Sequence, residues 1–270
     1  MARDAAAALG RHTLSILQAR FYRAPSGRTV SLESLLAACR AGTIDYPPGT
    51  DPSPPSTRRA ETRISIENAT VLDVGRRMAA TGAVAALNFA SGTHPGGGFL
   101  SGARAQEEAI ARSSGLFHAL DGRHMYTWHR ELGDPMYSDY VIYSPGVPVF
   151  RTDEGVLLED PWTLAILTSP AVNGSALWRF GVERMNDIPD VMRGRVLKVL
   201  GVAAHHQVTR LILGAWGCGA FGLDPAMMAG LFRDALDGPF SSVFDEVVFA
   251  ITDWSEEERT IGPFRRAFAG

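Results

Sequence analysis

The chain has 270 residues, 46% of them hydrophobic, and a formal net charge of −3, which suits one sizeable α/β domain with an extension and argues against a general nucleic-acid footprint. Two cysteines, Cys39 and Cys218, are too few for a disulfide scaffold, and no apolar run approaches the roughly 20 residues that span a bilayer. The opening MARDAAAALGRH meets charge too soon for a signal peptide, so a cytoplasmic protein with no membrane contact is expected.

In chain order, Leu14, Leu17 and Phe21, then Leu32, Leu35, Leu36 and Cys39, recur at three- and four-residue spacing and predict helices, with Ser31 as an N-cap. Tyr46 to Ala60 is rich in proline and cannot continue a helix. Residues 1–60 therefore read as a helical extension with a Pro-rich linker, and residues 61–270 as the main domain. The extension is expected to cap that domain, because its apolar faces need covering; a partner-binding arm is the other reading. Thr62 to Glu67 reads as a strand, the stretch from about Asn68 to Ala79 as a helix, and Ala83 to Phe89 as an apolar strand. Asp121 to Pro135 reads as irregular. Strands are expected at Tyr140 to Ser144, Trp162 to Thr168, Arg210 to Gly214 and Glu246 to Ile251, with helices at Val191 to Ala204 and Asp224 to Leu236. Apolar strands alternating with helices predict an α/β sheet covered on both faces.

The informative stretch is Asn88 to Phe117, NFASGTHPGGGFLSGARAQEEAIARSSGLF. A strand runs into a glycine-rich loop, and the loop into a helix that opens with Gln106, Glu107 and Glu108. Gly96, Gly97 and Gly98 can take backbone angles closed to other residues and bring main-chain N–H groups close to an anion. The adjacent carboxylates project about 100° apart on a helix, which suggests divided roles. A helix N-terminus favours carboxylate over carboxylic acid, so a general acid here needs a countering effect such as desolvation.

A second glycine loop, GAWGCGAFG at Gly214 to Gly222, spells G-x-G-x-x-G at Gly217, Gly219 and Gly222. A dinucleotide-dehydrogenase reading fails because few residues follow Asp253 to build the rest of that fold. The loop remains a good diphosphate cradle before a helix. Cys218 reads as a packed residue rather than a nucleophile, and His94 as a turn brace rather than an acid/base. His118, His124, His129 and the pair His205–His206 form no metal-ligand spacing, so no metal or cofactor is expected.

The GGG triplet, short gap and QEE together resemble the signature of the bacterial-type poly(ADP-ribose) glycohydrolases, and YSPGVPVFR, TSPAVN and GAWGCGAFG also resemble segments of that family. The resemblance implies a macrodomain-like fold, a three-layer α/β/α mixed sheet with an N-terminal helical extension. It implies hydrolysis of the ribose–ribose bond of poly(ADP-ribose), with Glu108 as acid/base, Glu107 holding ribose hydroxyls and Gln106 supporting both. Gly96, Gly97 and Gly98 would approach the terminal ribose and diphosphate. Gly217, Cys218, Gly219, Ala220, Phe221 and Gly222 would form the diphosphate loop, with Phe221 stacking on adenine or ribose, or plugging the core beneath the loop. Asn88 would bind a ribose hydroxyl or tie down the loop. Asp73 would accept from the adenine amino group, or be an ordinary first-turn acid. The expected partners are poly(ADP-ribose) or ADP-ribose and ADP-ribosylated proteins, met by a monomer. Two other readings keep the same site: a hydrolase for mono-ADP-ribose on protein or nucleic acid, and a module that binds ADP-ribose without cleaving it. Two glutamates weigh against the last, since a reader has no need of an acid.

Overall fold

The computed structural model describes residues 1–50, 52 and 61–269. The chain opens with α1 (Arg3–Ala19), a short hairpin of β1 (Phe21–Arg23) and β2 (Thr29–Ser31), α2 (Glu33–Gly42) and β3 (Ile44–Tyr46). The main sheet then takes β4 (Arg63–Glu67), followed by α3 (Val71–Ala79), β5 (Ala85–Phe89), α4 (Gln106–Ser113), α5 (Leu116–Leu120) and α6 (His124–Leu132). Two long strands, β6 (Val141–Arg151) and β7 (Leu157–Ser169), lead to α7 (Gly174–Phe180) and α8 (Ile188–His205). The chain closes with β8 (Arg210–Leu213), α9 (Pro225–Asp237), β9 (Glu246–Ala250) and α10 (Ile261–Ala267).

Among the described residues the sheet has seven strands in the order β3-β6-β7-β5-β8-β9-β4. It is mixed: β3, β6 and β7 pair antiparallel, and β7, β5, β8, β9 and β4 pair parallel. Alternation along β5 sends Ala85 and Leu87 into one core, with α8 and α9, and Ala86 into the other, with α3, α5 and α6. Helices therefore cover both faces, which is why these strands carry apolar residues on both sides.

The sheet's asymmetry makes the site. β5 pairs with β7 as far as Phe89–Ser169, but with β8 only as far as Ala86–Ile212. The chain leaves β5 towards one half of the sheet and β8 towards the other, so the two strands part at their carboxyl ends. Ligand crevices in open α/β sheets form at such a point.

The first 50 residues join this architecture directly. β3 adds an antiparallel edge strand to β6. On α1, the Thr13 hydroxyl donates to the Arg112 carbonyl of α4, and the Arg3 guanidinium donates to Ser101 O at 3.1 Å. Gly10 packs so closely on the Phe99 backbone that a Cβ there has no room. The extension thus backs the helix that carries the two glutamates. Most of the Pro-rich stretch lies outside the described residues.

Several elements differ from the sequence expectation. Phe21 and Ser31 lie in the small hairpin rather than in helix; α2 has Leu32 at its N-cap, and Ser31 Oγ instead accepts from Glu33 N–H at 3.3 Å. The strand expected to stop at Ser144 runs on to Arg151, because a register shift between Ser144 and Val147 absorbs the Pro145–Gly146 break. Asp121 to Pro135 contains α6, whose buried residues are only Met125, Tyr126 and His129. So narrow an apolar stripe between two glycines gives almost no periodic signal.

Candidate active site

Helix α4 begins without a side-chain cap at Ala105; Gln106 and Glu107 reach back to β5 and the residues just after it, and Glu108 reaches the first glycine loop. Gln106 occupies the gap left where β8 departs from β5. Its Oε1 accepts from Phe89 N–H at 2.9 Å and its Nε2 donates to Leu87 O at 2.7 Å, so one side chain replaces the missing strand partner. Gln106 is therefore spent on the strand end as well as lining the cleft.

Glu107 is 3% exposed and both its oxygens are engaged. Oε2 accepts from Ser91 N–H at 2.7 Å, and Oε1 accepts from the Asn88 amide at 3.4 Å. Burial drives its carboxyl up to about 8, against the downward pull of the Ser91 N–H and with further upward pressure from Glu108. Dehydration thus outweighs the hydrogen bonds that this carboxyl accepts. Asn88 is itself fully buried and also donates to Thr168 Oγ1 at 3.3 Å, so it ties β5 to β7 beneath the acids.

Glu108 is fixed at one end and unspent at the other. Its Oε1 accepts from Gly98 N–H at 2.9 Å, while Oε2 is buried with no protein partner. Gly97, at φ +58°, lies directly over the pair. A Cβ there would come within 2.9 Å of Glu107 Oε2 and closer still to Glu108 Oε1. The glycines of the first loop therefore make room for the carboxylates. Gly97 and Gly98 line a neighbouring cavity of about 600 Å³, which shares Ser91 and Glu108 with the main cleft; Gly96, at φ +70°, packs inward on Phe99 and Ala111.

The cleft between α4 and the second glycine loop is narrower than this neighbour, about 140 Å³ against about 600 Å³, and reaches about 580 Å³ when the open space at its mouth is counted, enough for part of a nucleotide. One wall is Gln106, Glu107 and Glu108; the other is the second glycine loop, with Gly217, Gly219 and Phe221. The N–H groups of Gly217, Gly219, Ala220 and Phe221 have no acceptor among the described residues, whereas Cys218 N–H is spent on Ala215 O and Gly222 N–H on Gly219 O. Unspent main-chain donors facing a cleft suit an anion. The following helix does not supply them: Asp224 Oδ1 accepts from Ala226 N–H and Pro225 opens the helix, so the loop is the donor rather than the helix end. The space around Gly219 is open, which leaves its backbone bare.

Phe221 is half-buried; it lines the cleft and also packs on the core, with its ring centroid 6.2 Å from that of Tyr137. Cys218 lies behind the loop, its thiol pushed up to about 12 chiefly by burial. Gly222, at φ +69°, turns the chain against Ser175. Asp73 lines neither cavity; it is an exposed first-turn residue of α3 whose N–H donates to Thr70 Oγ1 at 3.1 Å.

A family described as "Microbial-type PARG, catalytic domain" matches residues 10–152. The chain belongs to this family. The match starts within α1, in line with the packing of that helix on α4. Poly(ADP-ribose) glycohydrolase from Thermomonospora curvata is 45% identical with a TM-score of 0.94, over 98% of this chain and all of that one. The same enzyme bound to the inhibitor ADP-HPD is similar at 44% identity and TM-score 0.90, with 98% of this chain and 100% of that one covered. The Deinococcus radiodurans enzyme in complex with ADP-ribose is 39% identical with a TM-score of 0.81, over 87% of this chain and 97% of that one. None of the curated proteins matches the chain.

Several residues around the candidate site of this microbial-type PARG escaped sequence reasoning. Ser91 donates its N–H to Glu107, and its hydroxyl accepts from Thr93 N–H and His94 N–H, a turn that the S-G-T run hints at. Trp216, fully buried, forms part of the cleft floor. His129 and Tyr137 brace the loops from α6 and beyond, and nothing in their spacing marks them.

Proposed function

We propose that the chain hydrolyses the ribose–ribose O-glycosidic bond of poly(ADP-ribose) and releases ADP-ribose, with Glu108 as general acid and then general base. The observation that carries this reading is the unspent Oε2 of Glu108, a residue that lines both cavities, beside a carboxyl whose oxygens are both engaged. Family membership supports the activity, and the relatives solved with ADP-ribose and ADP-HPD support the ligand class.

In this reading the free amides of Gly217, Gly219, Ala220 and Phe221 hold the diphosphate, and Phe221 packs on a ring of the nucleotide. The terminal ribose then lies over the two glutamates. As the bond from the anomeric carbon breaks, Glu108 gives its proton to the departing ribose oxygen, and positive charge develops on the terminal sugar. Water attacks the anomeric carbon, and Glu108 takes the proton that water loses, so the acid is regenerated. Glu107, held near the proton-bearing state by burial, orients a ribose hydroxyl. Gly98 N–H keeps the Glu108 carboxyl in place through the cycle. A proton transfer of this kind contributes about 10²–10⁴-fold to rate.

Glu108→Gln should abolish ADP-ribose release from the polymer while leaving ADP-ribose affinity within about tenfold, since the substitution keeps shape but removes the proton. Full turnover by E108Q would remove Glu108 from the role. Release from mono-ADP-ribosylated protein but not from polymer would assign the site to the smaller substrate.

A further inference from the structure

We infer that His129 is the positioning residue that ties the acid loop to the aromatic wall of the cleft, setting turnover through one ring nitrogen and nucleotide binding through the other. His129 is 1% exposed and sits on α6, outside the cleft lining. Its Nδ1 lies 3.1 Å from Gly92 O. Its Nε2 lies 3.0 Å from Ser138 N and 2.7 Å from Ser138 Oγ. The Ser138 N–H can only donate, so Nε2 is the acceptor, and Nδ1 carries the proton that it donates to the Gly92 carbonyl. Both ring nitrogens are thereby committed to different loops.

Each tie leads to one wall of the site. Gly92 follows Ser91, whose N–H holds Glu107 Oε2 at 2.7 Å. The next residue of α6, Arg130, donates to Thr93 O at 2.6 Å, so two adjacent side chains of one helix fix two adjacent carbonyls of the acid loop. Ser138 follows Tyr137, a non-glycine residue at φ +54°. The Tyr137 ring lies 5.3 Å from that of His129 and 6.2 Å from that of Phe221. It also fills the space at Gly92, where a Cβ would meet the ring at 2.8 Å. A left-handed tyrosine persists only where its surroundings over-determine it, and the Ser138 bond to His129 is one such constraint.

This inference rests on the hydrolase reading for turnover but has a binding readout of its own. An asparagine at this position places a donor where Nδ1 stands; a glutamine places an acceptor near Nε2. His129→Asn should keep kcat within about twofold and raise KM and the ADP-ribose Kd about tenfold, while His129→Gln should do the reverse, since misplacing a reacting group acts on kcat. The measurements are steady-state release of ADP-ribose from poly(ADP-ribose), calorimetric titration with ADP-ribose, and a thermal melt of each variant. A merely structural role would lower apparent kcat alike in H129N and H129Q through the folded fraction, with KM and Kd unchanged; that result overturns the inference. So does wild-type behaviour of both variants. If the wild-type protein binds ADP-ribose but releases none from polymer, the hydrolase reading falls, and the split in Kd between H129N and H129Q still decides the role of His129.

Discussion

Replacing Gly97 by alanine separates two physical costs that this position combines. At φ +58° an L side chain costs about 1–2 kcal/mol in backbone conformation alone. The added Cβ would also stand within 2.9 Å of Glu107 Oε2 and nearer to Glu108 Oε1, so the Glu108 carboxylate must move and lose its bond from Gly98 N–H. Leaving Gly98 N–H without its partner costs about 1–3 kcal/mol, so the total loss is about 2–5 kcal/mol. Gly146 supplies the control: it has φ +57° with no atom near its would-be Cβ, so G146A carries the backbone cost without the clash. Melts of the two variants should therefore differ by the acid contact alone, with G97A lower by about 2–5 °C for a chain of this length. Turnover should fall about 10²-fold in G97A, because the acid is displaced, and hold in G146A. A G97A protein that melts with G146A and keeps full kcat would refute the claim that this glycine exists to admit the carboxylates.

Gln106→Leu leaves Phe89 N–H and Leu87 O without their partner, which costs about 2–6 kcal/mol across the two groups; a melt unchanged from wild type would show that water replaces the amide at no loss. Gly219→Ala should leave the melting point within about 2 °C, because nothing lies near the new methyl group, yet weaken ADP-ribose binding by calorimetry, because the methyl covers a bare stretch of the loop. Glu107 bears on pH. The folded protein holds its proton up to about 8, while the unfolded chain releases it near 4.5. Its stabilising contribution is therefore complete below about 4.5 and is lost as pH rises through about 8. Relative to E107Q, the wild type should lose stability by at most about 1.4 kcal/mol per pH unit across that window, read as a denaturant midpoint. A difference that stays flat with pH would mean that Glu107 is already ionised when folded.

The elements legible in the sequence were those with long periodic runs. The strand Ala85–Phe89, the helix Ile188–His205 and the helix Pro225–Asp237 lie within a few residues of their expected bounds, since continuous burial writes itself as hydrophobicity. The two glycine loops were legible too as sharp bends, because three consecutive glycines and a G-x-G-x-x-G run are rare and Gly96, Gly97, Gly217 and Gly222 all take positive φ. Helix α6 was not legible, since two glycines frame it and only three of its residues are buried. The hairpin at Phe21 to Ser31 was missed because its strands are three residues long and Phe21 is exposed.

By itself the sequence determined the glycine triplet ahead of Gln106, the adjacency of Glu107 and Glu108, and the presence of two side-chain-free bends, because each of these is a matter of neighbours along the chain. Only the tertiary structure decided that the first bend shelters the carboxylates while the second faces the cleft with unspent amides. It alone separated Glu107, with both oxygens held by Ser91 and Asn88, from Glu108, with one oxygen idle. Those differences depend on which buried donors reach which oxygen across 10 to 19 residues of intervening chain, and dehydration and hydrogen bonding are properties of that assembled neighbourhood.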